Sequence, residues 1–151
     1  MLSLAPARPE DAGAIAALMG ELERFYGGEL AEPLDEQLAQ IHAALFAEPP
    51  LAYTLLAWQD DALVGMATYA FLWPAAGFTS SLYLKELYVA EAARRSGVGK
   101  ALMDTLHAVA RERGCSRVEW TTDTENADAQ AFYEHQGTPR NTSKIFYRSA
   151  L

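Results

Sequence analysis

Residues 94–99, Arg94-Arg95-Ser96-Gly97-Val98-Gly99, set two glycines between an apolar run and a stretch of helical periodicity. Where a helix begins in or just after such a turn, its first backbone N–H groups have no intrahelical partner and carry the positive end of the helix dipole. The glycines then let a ligand come close to the main chain. The chemistry on offer is anion capture, and a phosphate or pyrophosphate is the natural guest of 95–100, with Lys100 as the next residue. Spacing excludes two phosphate loops. A P-loop, G-x-x-x-x-G-K-[ST], would need glycine at Arg94 and a hydroxyl at Ala101. The dinucleotide fingerprint G-x-G-x-x-G, started at Gly97, would need glycine or alanine at Leu102. Other reactive types are sparse. The single cysteine, Cys115, stands beside Gly114 at a helix end and reads as a packing residue, while His42, His107 and His135 fall in separate predicted helices without ligand spacing. No metal is expected.

The elements that must hold this turn follow from periodicity. Leu82 to Val89 is apolar, aromatic and β-branched apart from Lys85 and Glu86, as suits a strand covered on much of both faces. After the turn, Val98, Leu102, Leu106, Val109 and Ala110 recur at helical spacing, predicting a helix from Gly97 to Arg113 with one face on the sheet. Upstream, Leu2–Ala5 reads as a strand, and Pro9-Glu10-Asp11 as a helix start behind a poor cap, Arg8. Ile15, Leu18, Met19, Leu22, Phe25 and Tyr26 form an apolar stripe ended by Gly27-Gly28; Leu34, Leu38, Ile41 and Leu45 share a face of a second helix. Leu51–Trp58 and Ala62–Trp73 read as strands joined through Gln59-Asp60-Asp61, with a turn at Pro74-Ala75-Ala76-Gly77, so an antiparallel meander leads into the strand at Leu82. The helix after it is a crossover to a parallel strand at Arg117–Thr122, and Lys144–Ser149 reads as a last strand.

With 151 residues, half of them hydrophobic, the expectation is one domain, 1–151, with one core. No apolar run approaches the roughly 20 residues of a membrane span and no leader pattern opens the chain, so a soluble, cytoplasmic protein is expected. A formal net charge of −8 opposes sequence-independent attraction to nucleic acid or anionic lipid and favours cationic small molecules.

The pattern [R/Q]-x-x-G-x-[G/A], met as Arg94-x-x-Gly97-x-Gly99 after a strand and before a helix, resembles the acyl-CoA loop of the GNAT superfamily of N-acetyltransferases. Asn126-x-x-Ala129-x-x-Phe132-Tyr133-x-x-x-Gly137 resembles that family's second cofactor motif, in the right order and at the right separation. The resemblance spans Leu82 to Gly137. It implies a mixed, mostly antiparallel α/β sheet with a central parallel pair that splays apart, helices on both faces, and acetyl-CoA as co-substrate. In the family the strand ending near Val89 bulges, and Leu87, Tyr88 and Val89 pair through their main chain with the pantetheine amides. The loop 94–100, through Arg94, Arg95, Ser96, Gly97, Val98, Gly99 and Lys100, then holds the phosphates. Arg94 and Arg95 are either phosphate partners or exposed loop arginines. Arg95 stands where the family often has glycine, and Glu91 where it often has proline.

Site chemistry follows the same resemblance. Tyr133 aligns with the family's usual proton donor to the departing thiolate, one residue after Phe132, a cofactor contact; Asn126 is a helix cap, a cofactor contact or both. Tyr83-Leu84-Lys85-Glu86-Leu87-Tyr88-Val89 is similar to the Y-L-E-D-L-Y-V strand of polyamine and diamine acetyltransferases, with lysine replacing one acid. Glu86 is the candidate base; its other reading is an exposed or salt-bridged glutamate. The implied reaction is N-acetylation of a small amine by direct attack in a ternary complex, with a homodimer as the family's frequent assembly. Glu21, Glu23, Glu29, Glu32, Asp35 and Glu36 crowd the first two helices, and Tyr26 and Trp73 are candidate aromatic walls, so diamines and polyamines lead among acceptors. The alternatives are acetylation of an amino acid or protein N-terminus, and a non-catalytic acyl-CoA sensor.

Overall fold

The computed structural model describes residues 1–151 and divides into two compact units, Met1–Trp120 and Thr121–Leu151. In the first unit the strands are β1 (Leu2–Pro6), β2 (Tyr53–Gln59), β3 (Ala62–Leu72), β4 (Ser81–Val89) and β5 (Arg117–Glu119), and the helices are α1 (Ala12–Phe25), α2 (Leu34–Leu45) and α3 (Val98–Glu112). The sheet runs β1-β2-β3-β4-β5, antiparallel up to β4 and parallel between β4 and β5.

Thr54, Leu55, Leu56 and Ala57 are buried in succession along β2, so this strand needs cover on both sides. Strand register shows how the cover is shared. Leu56 pairs with Met66 and Met66 with Tyr88, and these three pack into one cluster with Ile15, Leu18, Leu22 and Ile41 of α1 and α2. Leu55, Ala67 and Gly65 alternate with them and face α3, whose Val98, Leu102, Met103, Leu106 and Ala110 are buried. Met103 takes the core place expected of Val109, which is half-buried. The stripe of α1 is narrower than its sequence implies: Met19, Phe25 and Tyr26 are exposed, as is Leu34 at the start of α2. An apolar stripe of about 100° is all one helix can turn toward a sheet, so its flanking members face out.

The entry to α1 is tighter than expected. Pro9–Asp11 forms a 3-10 turn, and Arg8 N–H donates to Asp11 Oδ2 at 2.8 Å while Asp11 N–H donates back to Arg8 O, so the backbone of Arg8 does what its side chain cannot. Strand ends are also trimmed: Leu51, Ala52 and Trp73 lie outside β2 and β3, and the strand at Arg117 stops at Glu119 instead of Thr122.

The second unit contains α4 (Ala127–His135). Lys144–Ser149 is not a strand. Ile145, Phe146 and Tyr147 are 78%, 61% and 84% exposed, with no ladder and no buried face, and an apolar triplet between cations does not make a strand without a partner. The parallel pair β4–β5 therefore closes the sheet order instead of sitting inside it. No helix is long and apolar enough to cross a membrane.

Candidate active site

The glycine turn is set by backbone handedness. Arg95 has φ 63° and Gly97 φ 86°, both left-handed, and Gly97 is the N-cap of α3. Glycine adopts that region freely, whereas an L side chain is strained by about 1–2 kcal/mol, which accounts for glycine being the common residue at the position Arg95 fills. The first bond of the α3 ladder runs from Ala101 N–H to Gly97 O, so the N–H groups of Val98, Gly99 and Lys100 precede the ladder. A Cβ placed on Gly97 would meet nothing within 4 Å, so the turn is open at that residue. The residues present therefore fit a pyrophosphate. The Lys100 ammonium pairs with Asp104 at 2.6 Å along the exposed face of α3, and Ser96 Oγ donates to Ala93 O within the loop.

The start of α3 is fixed against the sheet at Gly65. A Cβ there would lie 2.9 Å from Val98 Cγ1, closer than real contacts come, and a tight 3.2 Å from Leu102 Cδ1, so any other residue would have to push the start of the helix away from β3.

Strand β4 carries the two irregularities that the resemblance implies. β5 pairs with it only at Ser81, Leu82 and Tyr83, and β4 continues to Val89 beyond the end of that ladder. The edge of Leu87, Tyr88 and Val89 away from β3 thus has the form of a strand neighbour for an extended ligand. Register also shifts between Thr68 and Tyr69, which pair with Glu86 and Leu84. Lys85 is the extra residue, a β-bulge that reverses side-chain parity. Leu82 and Leu84 consequently face α3, whereas Glu86 and Tyr88 face the α1–α2 side. Glu86 is exposed there and sits opposite Thr68, whose hydroxyl is 3.0 Å from that of the buried Thr54. The parity of a regular strand would not have found this.

Arg94 is an exposed loop arginine, one of the two readings expected of it, and its side chain packs back on the protein. Its Nε donates to Val89 O at 3.1 Å, and its guanidinium carbon lies 4.3 Å from the Phe25 ring centroid and 5.4 Å from that of Tyr88. Tyr88 in turn donates from its hydroxyl to Glu21 Oε2 at 2.7 Å. Burial, then the hydrogen bond to Glu21 and the Glu21 charge, push the phenol up to about 12, against the opposing pull of Arg94. Glu21 is therefore engaged with Tyr88 and is not part of a free acidic rim. Sequence reading placed Glu21 in an acidic rim and missed its bond to Tyr88, and it missed Phe25 and Thr68 as neighbours of the site, because each of these enters through a tertiary contact with no local signal.

In the second unit, Asn126 Oδ1 accepts from Ala129 N–H at 3.1 Å, so Asn126 caps α4. Phe132 and Tyr133 follow on that helix, both half-buried, with ring centroids 5.2 Å apart at 65°.

The candidate acceptor residues do not assemble as one wall. Tyr26 is 54% exposed and packs edge-on to Phe25 at 5.1 Å, beside the C-terminal end of β4. Trp73, 66% exposed, donates from its ring nitrogen to Phe78 O in the β3–β4 turn, next to the pair Leu72–Ser81 at the other end of β4. From Ser81 to Val89 a strand rises about 25 Å, too far for two walls of one small pocket. Glu29 lines a groove of ≈ 540 Å³ between α1 and α2 with Gly20, Arg24, Leu30, Leu34 and Gln37, so an acid and a cation share it.

The sequence pattern of the acetyltransferase (GNAT) family matches residues 15–138. A D-amino-acid N-acetyltransferase of Saccharomyces cerevisiae is 28% identical over 85% of this chain and 80% of its own length. A mycothiol acetyltransferase of Beutenbergia cavernae is 35% identical over 78% of this chain, which spans 45% of that protein. Among solved structures, an integron cassette protein from the mobile metagenome of V. cholerae superposes with a TM-score of 0.89 at 28% identity, covering 99% of this chain and 92% of the other.

Proposed function

The chain belongs to the acetyltransferase (GNAT) family, and from that premise we propose that it moves an acetyl group from acetyl-CoA to the primary amine of a small cationic acceptor, of diamine or polyamine type. The whole chain, 1–151, serves as one catalytic domain in this reading, in the cytoplasm and as a homodimer. The observation that carries it is the start of α3: three backbone donors ahead of the helical ladder, behind a left-handed Gly97 that has nothing packed against its Cβ position.

Acetyl-CoA, when bound, supplies the activated acyl group as a thioester. Val98, Gly99 and Lys100 hold the pyrophosphate through their N–H groups, and the β4 edge at Leu87–Val89 aligns the pantetheine arm. Glu86, on the α1–α2 side of the bulge, receives a proton from the acceptor ammonium, directly or through water, and so leaves a neutral amine for direct attack in a ternary complex. Tyr133 returns a proton to the thiolate; a phenol does so without acting as a strong competing base.

The cationic acceptor is supported by a net charge of −8 and by Glu29 of the α1–α2 connection and Asp35 and Glu36 of the first turn of α2, which remain exposed. A second reading has its own support. Arg24 beside Glu29 is the cation an amino-acid carboxylate would need, and the yeast relative is named for D-amino acids. An acceptor screen that measures CoA release with diamines, amino acids, aminoglycosides and N-terminal peptides separates the two. Diamines should lead, with a KM that rises with added salt as screening weakens the acidic attraction. Turnover of amino acids without any diamine refutes the cationic acceptor, and binding of acetyl-CoA without any turnover supports a sensor.

A further inference from the structure

Two side chains of α1, Glu21 and Phe25, lie one helical turn apart on one face and reach across to the chain that leaves β4. Glu21 Oε2 accepts from the Tyr88 hydroxyl at 2.7 Å and from Glu91 N–H at 3.4 Å, partners 67 and 70 positions away in sequence. Phe25 presents its ring to the Arg94 guanidinium at 4.3 Å, while Arg94 Nε holds Val89 O at 3.1 Å. Tyr88, Val89, Glu91 and Arg94, the whole entry to the glycine turn, are thus gripped by α1 or by one another. Next along the chain stands Arg95 in its strained left-handed conformation, which persists only where the surroundings over-determine it.

We infer that Glu21, Phe25 and Arg94 form a latch that fastens the entrance of the cofactor loop to the last turns of α1, so that acetyl-CoA affinity depends on a helix that does not touch the phosphates. All three are positioning residues. The guanidinium of Arg94 is oriented by a carbonyl and two rings, which makes it a strut for the loop instead of a phosphate partner. The inference rests on the placement of the cofactor at the Gly97 turn. It adds that the helix carrying Tyr26 and the loop carrying the cofactor are set together.

Calorimetric titration of the full chain with acetyl-CoA tests this, using Phe25→Leu, Arg94→Met, the double variant, Phe25→Tyr and Gly97→Asp, each also melted by circular dichroism. Phe25→Leu and Arg94→Met should each weaken binding about fivefold, the size of one exposed cation–π contact. The double variant should lose less than the product of the two single losses, because both remove the Phe25–Arg94 contact, while Arg94→Met also gives up the hydrogen bond to Val89 O. Phe25→Tyr, which keeps a ring face, should bind as the parent does, and Arg94→Met should leave the salt dependence of binding unchanged. The latch is overturned if Phe25→Leu binds within twofold of the parent, whether or not its melting temperature falls, or if the two losses multiply in the double variant. A flattened salt dependence in Arg94→Met would instead make Arg94 a phosphate ligand. If Gly97→Asp binds normally, the placement of the cofactor at this turn fails, a result distinct from failure of the latch.

Discussion

Gly65→Ala adds one methyl group to β3 at the point where α3 begins. The added carbon would stand 2.9 Å from Val98 Cγ1, 3.2 Å from Leu102 Cδ1 and 3.4 Å from Tyr88 O. Val98 and Leu102 are 2% and 0% exposed, so neither side chain has open space to move into, and the helix itself must shift. Overpacking of this kind costs about 1–3 kcal/mol. Replacing a glycine that has an ordinary backbone angle returns roughly 0.5–1 kcal/mol of chain entropy. The net expectation is a loss centred at about 1 kcal/mol and at most about 2.5 kcal/mol, or roughly 2–4 °C in melting temperature at the centre of that range for a chain of this size. Since Val98 is the first residue of α3, the same shift should weaken acetyl-CoA binding in parallel. Val98→Ala removes the carbon that clashes most, so in the Gly65→Ala/Val98→Ala double variant the two stability losses should sum to less than their total, by about 1 kcal/mol or more. Thermal melts and acetyl-CoA titrations of the three variants provide the cycle. Strict additivity, or a Gly65→Ala protein within about 0.5 kcal/mol of the parent, would refute the claim that this glycine sets the seat of the helix.

Alkaline stability tests the environment of Tyr88, its burial first and its bond to Glu21 second: the phenol is pushed up to about 12 in the fold against about 10 when unfolded. That stabilisation is complete below pH 10 and disappears as pH rises through 12, so Tyr88→Phe should lack this component of the pH 10–12 stability loss in melts. Tyr133→Phe should lower kcat by about 100-fold while acetyl-CoA affinity stays near the parent value; equal turnover would remove the proton-donor role. Glu86→Gln should lower kcat/KM for the acceptor by about 100-fold while acetyl-CoA affinity stays near the parent value, and an unchanged kcat/KM would return Glu86 to the class of exposed strand acids.

Features written in contiguous residues were legible in the sequence. The run Leu82–Val89, the turn at Gly97 and the spacing of Val98, Leu102 and Leu106 define β4 and α3 to within a residue, because strand, cap and amphipathic helix are local signals. The displacement of Glu86 to the α1–α2 face was not legible, since a bulge exists only relative to the partner strand and is fixed by the pairing with Thr68 and Tyr69. The packing of Arg94 on Phe25 was hidden for a similar reason: Phe25 lies in a helix far upstream, and at the sequence level an arginine beside a phosphate loop reads either as a phosphate partner or as an exposed side chain. Trp73 and Tyr26 shared an aromatic character that said nothing of their opposite positions along β4. Lys144–Ser149 shows the converse, a local apolar pattern that found no partner in the fold.

Acetyl-CoA affinity of Gly97→Asp and Gly99→Asp, measured by calorimetry beside Gly97→Ala, probes the start of α3 directly. Each aspartate puts negative charge among the donors of Val98, Gly99 and Lys100, and binding should fall by about tenfold or more, beyond the effect of the alanine that reports backbone strain alone. Affinity within twofold of the parent for both aspartate variants would mean that the cofactor is held elsewhere.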